Sequence, residues 1–178
     1  MRTATTEERI DLIHRHIDEL EWRAHAATAA ARLRIQHHVD ALRRREADAR
    51  IALRTAPERL EYKLAQLHAR LDVAGHSVAV EIAPDEDTFE DAVAAELQSW
   101  DVFFERVQTT AVAEAWNRRL QAEAAVSEMR ALRLEIDERL AALRMSPPDQ
   151  REEQRARVTK ARERLERIAD EYSARLLR

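Results

Sequence analysis

The chain has no cysteine and a single glycine, Gly75, among its 178 residues. Without thiols it forms no disulfide and holds no sulfur-based zinc site. With one glycine it cannot build a Gly-rich phosphate loop, and it has little material for tight turns, since a compact domain ordinarily carries about 7% Gly. There are four prolines, and aromatic residues make up 4% of the chain. No window approaches the roughly 18 uncharged apolar residues of a membrane-spanning helix. The opening, MRTATTEERIDLIHRHID, lacks the apolar stretch of a secretory leader. The expectation is a soluble protein of the cytoplasm with no transmembrane segment.

Net charge is −4, from 30 basic and 34 acidic residues, so no global field draws the chain to nucleic acid or to anionic lipid. What remains is rich in Ala, Leu, Arg and Glu, all strong helix formers, with β-branched residues scattered rather than gathered into strands. The fold class is therefore all-α.

Four start signals divide the chain. Thr5 and Glu8 have the spacing of a capping box. Thr55-Ala56-Pro57-Glu58 repeats the device, with Pro in the first turn. Pro84-Asp85-Glu86-Asp87 breaks the chain and supplies acids for a helix N-terminus. Ser146-Pro147-Pro148-Asp149 stops one helix and starts another. The predicted helices are 6–55, 57–82, 87–145 and 148–177. At 1.5 Å per residue the first and third would be about 75 and 88 Å long. Such lengths predict an elongated antiparallel helical bundle or coiled coil, one domain over 1–178.

Apolar spacing agrees with helix. The first helix offers Ile10, Ile13, Ile17, Leu20, Ala24, Ala27, Ala31, Ile35, Val39, Leu42, Ala49 and Leu53, with a slip of rhythm between Ala31 and Val39. The second offers Leu60, Leu64, Leu67, Leu71, Ala74, Val78 and Ile82. The last gives Val158, Ala161, Leu165, Ile168, Tyr172 and Leu176, again an a/d seam. Segments 40–57 and 130–147 match at 7 of 18 positions, both ending in Pro. This predicts an internal duplication of about 90 residues, with pseudo-repeats 1–83 and 84–178. Pro57 and Pro147 should then act alike, both folding the chain back or both kinking it. The fresh start signal at each favours folding back, whereas the absence of Gly at both turns argues for a kink.

Several clusters invite functional interpretation. Trp22 falls on the far side of the Ile17–Leu20–Ala24 seam, and Trp116 joins Val112 and Leu120 in a second stripe. An exposed Trp is costly to leave in water, so these four residues are candidates for an interface with a third helix or another subunit. Trp100, Phe103 and Phe104 share one face and form a core anchor. Arg32, Arg43, Arg50 and Arg54 lie within about 40° on the first helix, at 100° per residue. This basic stripe could track a phosphate backbone, but no recognition module or stacking platform accompanies it. The segment 57–100 carries ten acids against Arg59, Lys63 and Arg70, which makes intramolecular pairing the simpler expectation. His14, Asp18, Glu21 and His25 share a ribbon but span about 16 Å, too far for one ion to use all four.

No motif names a reaction: there is no Ser elbow, no Glu-x-x-His pair and no calcium loop. The expectation is a non-enzymatic structural or protein-interaction bundle, partnered by another protein or by itself as a homo-oligomer. No cofactor, metal or small-molecule ligand is expected. The alternatives are an amphipathic protein associated with lipid surfaces, a metal-binding bundle, or nucleic-acid binding along the Arg stripe.

Overall fold

The computed structural model describes residues 5–111 and 116–176; side chains at 58, 110, 111, 116–118 and 173–176 lie outside that description. Among the described residues all regular structure is helical: α1 (Thr6–Ala24), α2 (Ala29–Thr55), a short 3₁₀ turn (Pro57–Arg59), α3 (Leu60–Glu81), α4 (Glu86–Ala111), α5 (Trp116–Arg144) and α6 (Arg151–Leu176). The chain divides into two compact units, Met1–Arg106 and Val107–Arg178, the boundary falling inside α4.

The helix expected over 6–55 is in fact two helices folded against each other. The Thr5–Glu8 capping box forms as expected, with both reciprocal bonds present. After Ala24, however, the chain turns through residues 25–28 by successive i→i−3 bonds, His25 to Trp22, Ala26 to Arg23 and Ala27 to Ala24. Thr28 then caps α2 by accepting from the Ala31 N–H. No described residue has a positive φ, so this turn uses no left-handed residue. Arg32 adds side-chain donors to carbonyls of the same turn. Its guanidinium donates to the carbonyls of Ala24, His25 and Ala27 at 3.3–3.4 Å. A cation also complements the negative end of the α1 dipole. The apolar rhythm read as one seam is therefore two seams, one on α1 and one on α2, facing each other.

The core of the first unit joins α1, α2 and α3. Ile10, Ile13, Ile17, Leu20 and Ala24 pack with Ile35, Val39, Leu42 and Ala49 and with Leu60, Leu64, Leu67, Ala74 and Val78. Pro57 folds the chain back, so α3 runs antiparallel to α2, and Arg34 near the start of α2 meets Glu81 at the end of α3. Thr55 does not cap the new helix. It ends α2, its hydroxyl donating to the Ile51 carbonyl, while Pro57 sits at the first position of the 3₁₀ turn.

Helix α3 has a second buried flank that its Leu heptad hides. Ala69, Arg70, Val73, Ser77 and Val80 are buried on the side opposite the heptad, and α4 runs antiparallel there. Ser77 donates to Glu96 at 2.6 Å with both side chains buried, and the Arg106 guanidinium donates to the Ala65 carbonyl. Trp100, Phe103 and Phe104 are buried and mutually packed, as their spacing predicts. Asp85 caps α4 by accepting from the Thr88 N–H.

In the second unit α5 and α6 form an antiparallel hairpin folded back at Pro147. Val126, Met129, Leu132, Ile136, Leu140 and Leu143 of α5 are buried, as are Val158, Ala161, Leu165, Ala169 and Tyr172 of α6. Chain reversal at both Pro57 and Pro147 follows the folding-back alternative. The expected helix over 87–145 runs through residues 112–115, which lie outside the described residues.

Candidate functional site

The four arginines of the predicted stripe do lie along α2, but their partners are not those expected. The acids that hold Arg43 and Arg50 come from α1 and, for Glu46, from α2 itself, rather than from the acidic stretch after Pro57. Arg50 donates to Asp11 at 3.0 Å and to Glu46 at 2.9 Å. Arg43 bonds Glu21 and reaches Asp18 at 3.3 Å. Arg32 is held at the end of α1, as described above. Arg34, outside the stripe, pairs with the acidic stretch through Glu81, and Arg9 of α1 does so through Glu61. Of the four stripe residues Arg54 alone is left exposed without a hydrogen bond or ion pair among the described residues. The stripe is thus one side of a charge ladder that fixes the antiparallel register of α1 on α2. The Arg50 guanidinium is held above its ordinary pKa, chiefly by its hydrogen bond to Glu46 and next by that to Asp11, against a small opposing effect of burial.

The same ladder absorbs the His14–Asp18–Glu21–His25 ribbon. His14 places Nδ1 3.0 Å from Glu46 and Nε2 3.6 Å from Asp18. Asp18 and Glu21 both face Arg43. His25 turns its Nδ1 to within 3.2 Å of the carbonyls of Glu21 and Trp22. Among the described residues no group of three or more His, Asp or Glu side chains is gathered to hold a metal ion. His37 and His38 meet edge to face at 6.4 Å between ring centres, and do not converge on a common point. Glu46 is the participant that sequence reasoning missed. It occupies a core position of α2, and a lone acid inside an apolar rhythm is the signal that could have marked it.

Between α5 and α6 lies an open groove of about 250 Å³, bordered by Gln121, Glu128, Ile168 and Tyr172 among others. It is smaller than the roughly 300–1,000 Å³ typical of ligand pockets, and its lining among the described residues includes no histidine, Ser–base pair or cation.

The candidate interface residues are only partly described. Trp22 is 74% exposed, uncovered by the described residues of its own unit. Leu120 is about half exposed, whereas Val112 and the Trp116 side chain lie outside the described residues. Two large apolar side chains not singled out from the sequence join this group. Leu33 is 75% exposed and Ile51 is 59% exposed, both on the outer side of α2. They lie 18 residues apart, a whole number of helical turns, so they share one ribbon.

Among the described residues no helix is long and apolar enough to cross a membrane. Comparison with protein-family models, with curated proteins and with solved structures gave no match.

Proposed function

We propose that the chain is a non-enzymatic helical interaction element of the cytoplasm that acts by associating with other helices, its own copies first. The observation that carries this is Trp22, exposed at 74% on a helix whose inner face is fully packed. Burying a side chain of that size is worth roughly 1.5–3 kcal/mol, and Trp is among the residues most enriched where interfaces concentrate their binding energy. Coiled-coil pairing suits the chain, because its helices are long relative to their loops and carry apolar seams with a 3-4 rhythm. The basic stripe supports this reading over phosphate binding, since Arg32, Arg43 and Arg50 are already engaged by acids or carbonyls of α1.

Sedimentation of the full chain over a wide concentration range tests the proposal. Self-association that weakens on Trp22→Ser, with helicity unchanged, is the expected result. A chain that stays monomeric at every concentration removes self-association and leaves a foreign protein as the partner.

A further inference from the structure

Four of six positions on the outer ribbon of α2 pair symmetrically from its two ends, apolar with apolar and acid with base. Residues 33, 37, 40, 44, 47 and 51 are all exposed, and they are spaced 4-3-4-3-4. That is the 3.5-residue rhythm of a coiled-coil seam, on the side of α2 opposite its buried seam. In order they are Leu33, His37, Asp40, Arg44, Ala47 and Ile51. Position 42 is the midpoint: Leu33 and Ile51 stand equally far from it, as do His37 and Ala47, and as do Asp40 and Arg44.

Resting on the self-association proposed above, we propose that this ribbon is a self-association surface of its own, apart from the exposed Trp22 of α1, and that two copies of the chain pair α2 against α2, antiparallel, about a two-fold axis at the level of Leu42. A two-fold contact must be self-complementary, each position i meeting j while j meets i. Here Leu33 of each copy meets Ile51 of the other, a large apolar side chain against a large apolar side chain at both ends. At the centre Asp40 of each copy meets Arg44 of the other, giving two opposite-charge contacts. A parallel pairing would instead set Asp40 on Asp40 and Arg44 on Arg44, a repulsive arrangement at both positions, so the ribbon selects the antiparallel partner.

The side chains are placed to do this. Asp40 accepts only from Gln36 of its own helix, at 3.0 Å, and retains a free carboxylate oxygen. Arg44 has no hydrogen bond or ion pair among the described residues, although Asp40 stands one turn away on the same face. Arg32, Arg34, Arg43 and Arg50 of the same helix are engaged, whereas Arg44 is not. Antiparallel helices also bring opposite dipole ends together. The seam from Leu33 to Ile51 runs about 27 Å along the helix axis.

The test uses the full chain, in sedimentation equilibrium, with circular dichroism confirming the fold of each variant. Asp40→Arg and Arg44→Asp each place like charges opposite one another twice, and each is expected to weaken the dimer at least about tenfold. The double variant, Asp40→Arg with Arg44→Asp, restores every pair and regains the dimer. An equimolar mixture of the two single variants forms a mixed dimer, because one copy then presents two arginines and the other two aspartates. The absence of native cysteine allows a second measurement. A mixture of Leu33→Cys and Ile51→Cys chains should cross-link on oxidation, while Leu33→Cys alone should not, its two copies lying about 27 Å apart. A dimer that ignores both charge reversals, or a double variant that fails to recover, overturns this seam but leaves self-association standing. A monomer at every concentration overturns both.

Discussion

His14 on α1 and Glu46 on α2 meet at 3.0 and 3.1 Å, both Glu46 oxygens lying within reach of the histidine Nδ1, and the carboxylate is buried while the imidazole is half exposed. Arg50 approaches the same carboxylate from the next turn at 2.9 Å. A buried acid on an otherwise apolar seam is tolerated because its lone pairs are taken, and two of its neighbours tie it to the helix that must pack there. Asp11 and Asp18 extend the contact on either side, so the ladder sets register where apolar contacts alone would allow α1 to slide.

Glu46→Ala should therefore destabilise the chain by about 1–3 kcal/mol. It leaves a void and strips Arg50 and His14 of a partner in a poorly solvated place. Glu46→Leu, which refills the volume, should cost much less or even stabilise, since apolar replacement of buried ionic groups is often neutral or favourable. Urea unfolding of both variants checks this. Equal losses for Ala and Leu would show that the carboxylate itself, not the filled space, holds α1 to α2.

Gly75 offers a change in the opposite direction. It lies in the middle of α3, its φ is not positive, and a Cβ added there would meet nothing within 4 Å. Glycine within a helix is less favourable than alanine by about 0.8–1 kcal/mol. Gly75→Ala should raise the unfolding free energy by about that amount, read as a higher denaturant midpoint with unchanged slope. A loss of stability would mean that the helix relies on a freedom at this position that its backbone angles do not reveal.

The parts of the fold set by apolar rhythm were legible in the residues. The α1, α2 and α3 seams and the Trp100–Phe103–Phe104 anchor follow from spacing, while the prolines at 57 and 147 mark the breaks without deciding between reversal and kink. The turn at 25–28 was not legible, for a physical reason. Helix breaks announce themselves through Gly, Pro or a left-handed residue, whereas His25-Ala26-Ala27-Thr28 contains none of these, and two of its residues are alanine. The stop signal is carried by Arg32, four residues beyond the break, and its role depends on a three-dimensional contact. The second buried flank of α3 was hidden similarly, because Arg70 and Ser77 read as surface residues until α4 covers them. Trp22 was visible as an outlier from the Leu20 seam. Leu33 and Ile51 were not, because a helix assumed to run unbroken over 6–55 does not reveal which of α2's sides faces outward.

The glycine-free turn leads to the final prediction. Thr28→Ala removes the side-chain acceptor for the Ala31 N–H and should cost about 1 kcal/mol, the usual worth of an N-cap. Arg32→Ala removes the guanidinium from the carbonyls of Ala24, His25 and Ala27, the first of which keeps its bond from the Ala27 N–H. Its bonds are long, at 3.3–3.4 Å, and partly exposed, so the expected loss is also about 1 kcal/mol. Because both residues restrain one turn, their effects should be coupled rather than additive, the double variant falling short of the sum by a measurable amount. Without either restraint the lowest-cost alternative for an alanine-rich segment is to continue the helix from α1 into α2, which would separate Ile17 from Leu42 and open the core. Hydrogen exchange at residues 25–35 would report this directly. Faster exchange confined to the turn is the expected outcome, whereas protection that increases through 25–28 in the double variant would show the two helices fusing into one.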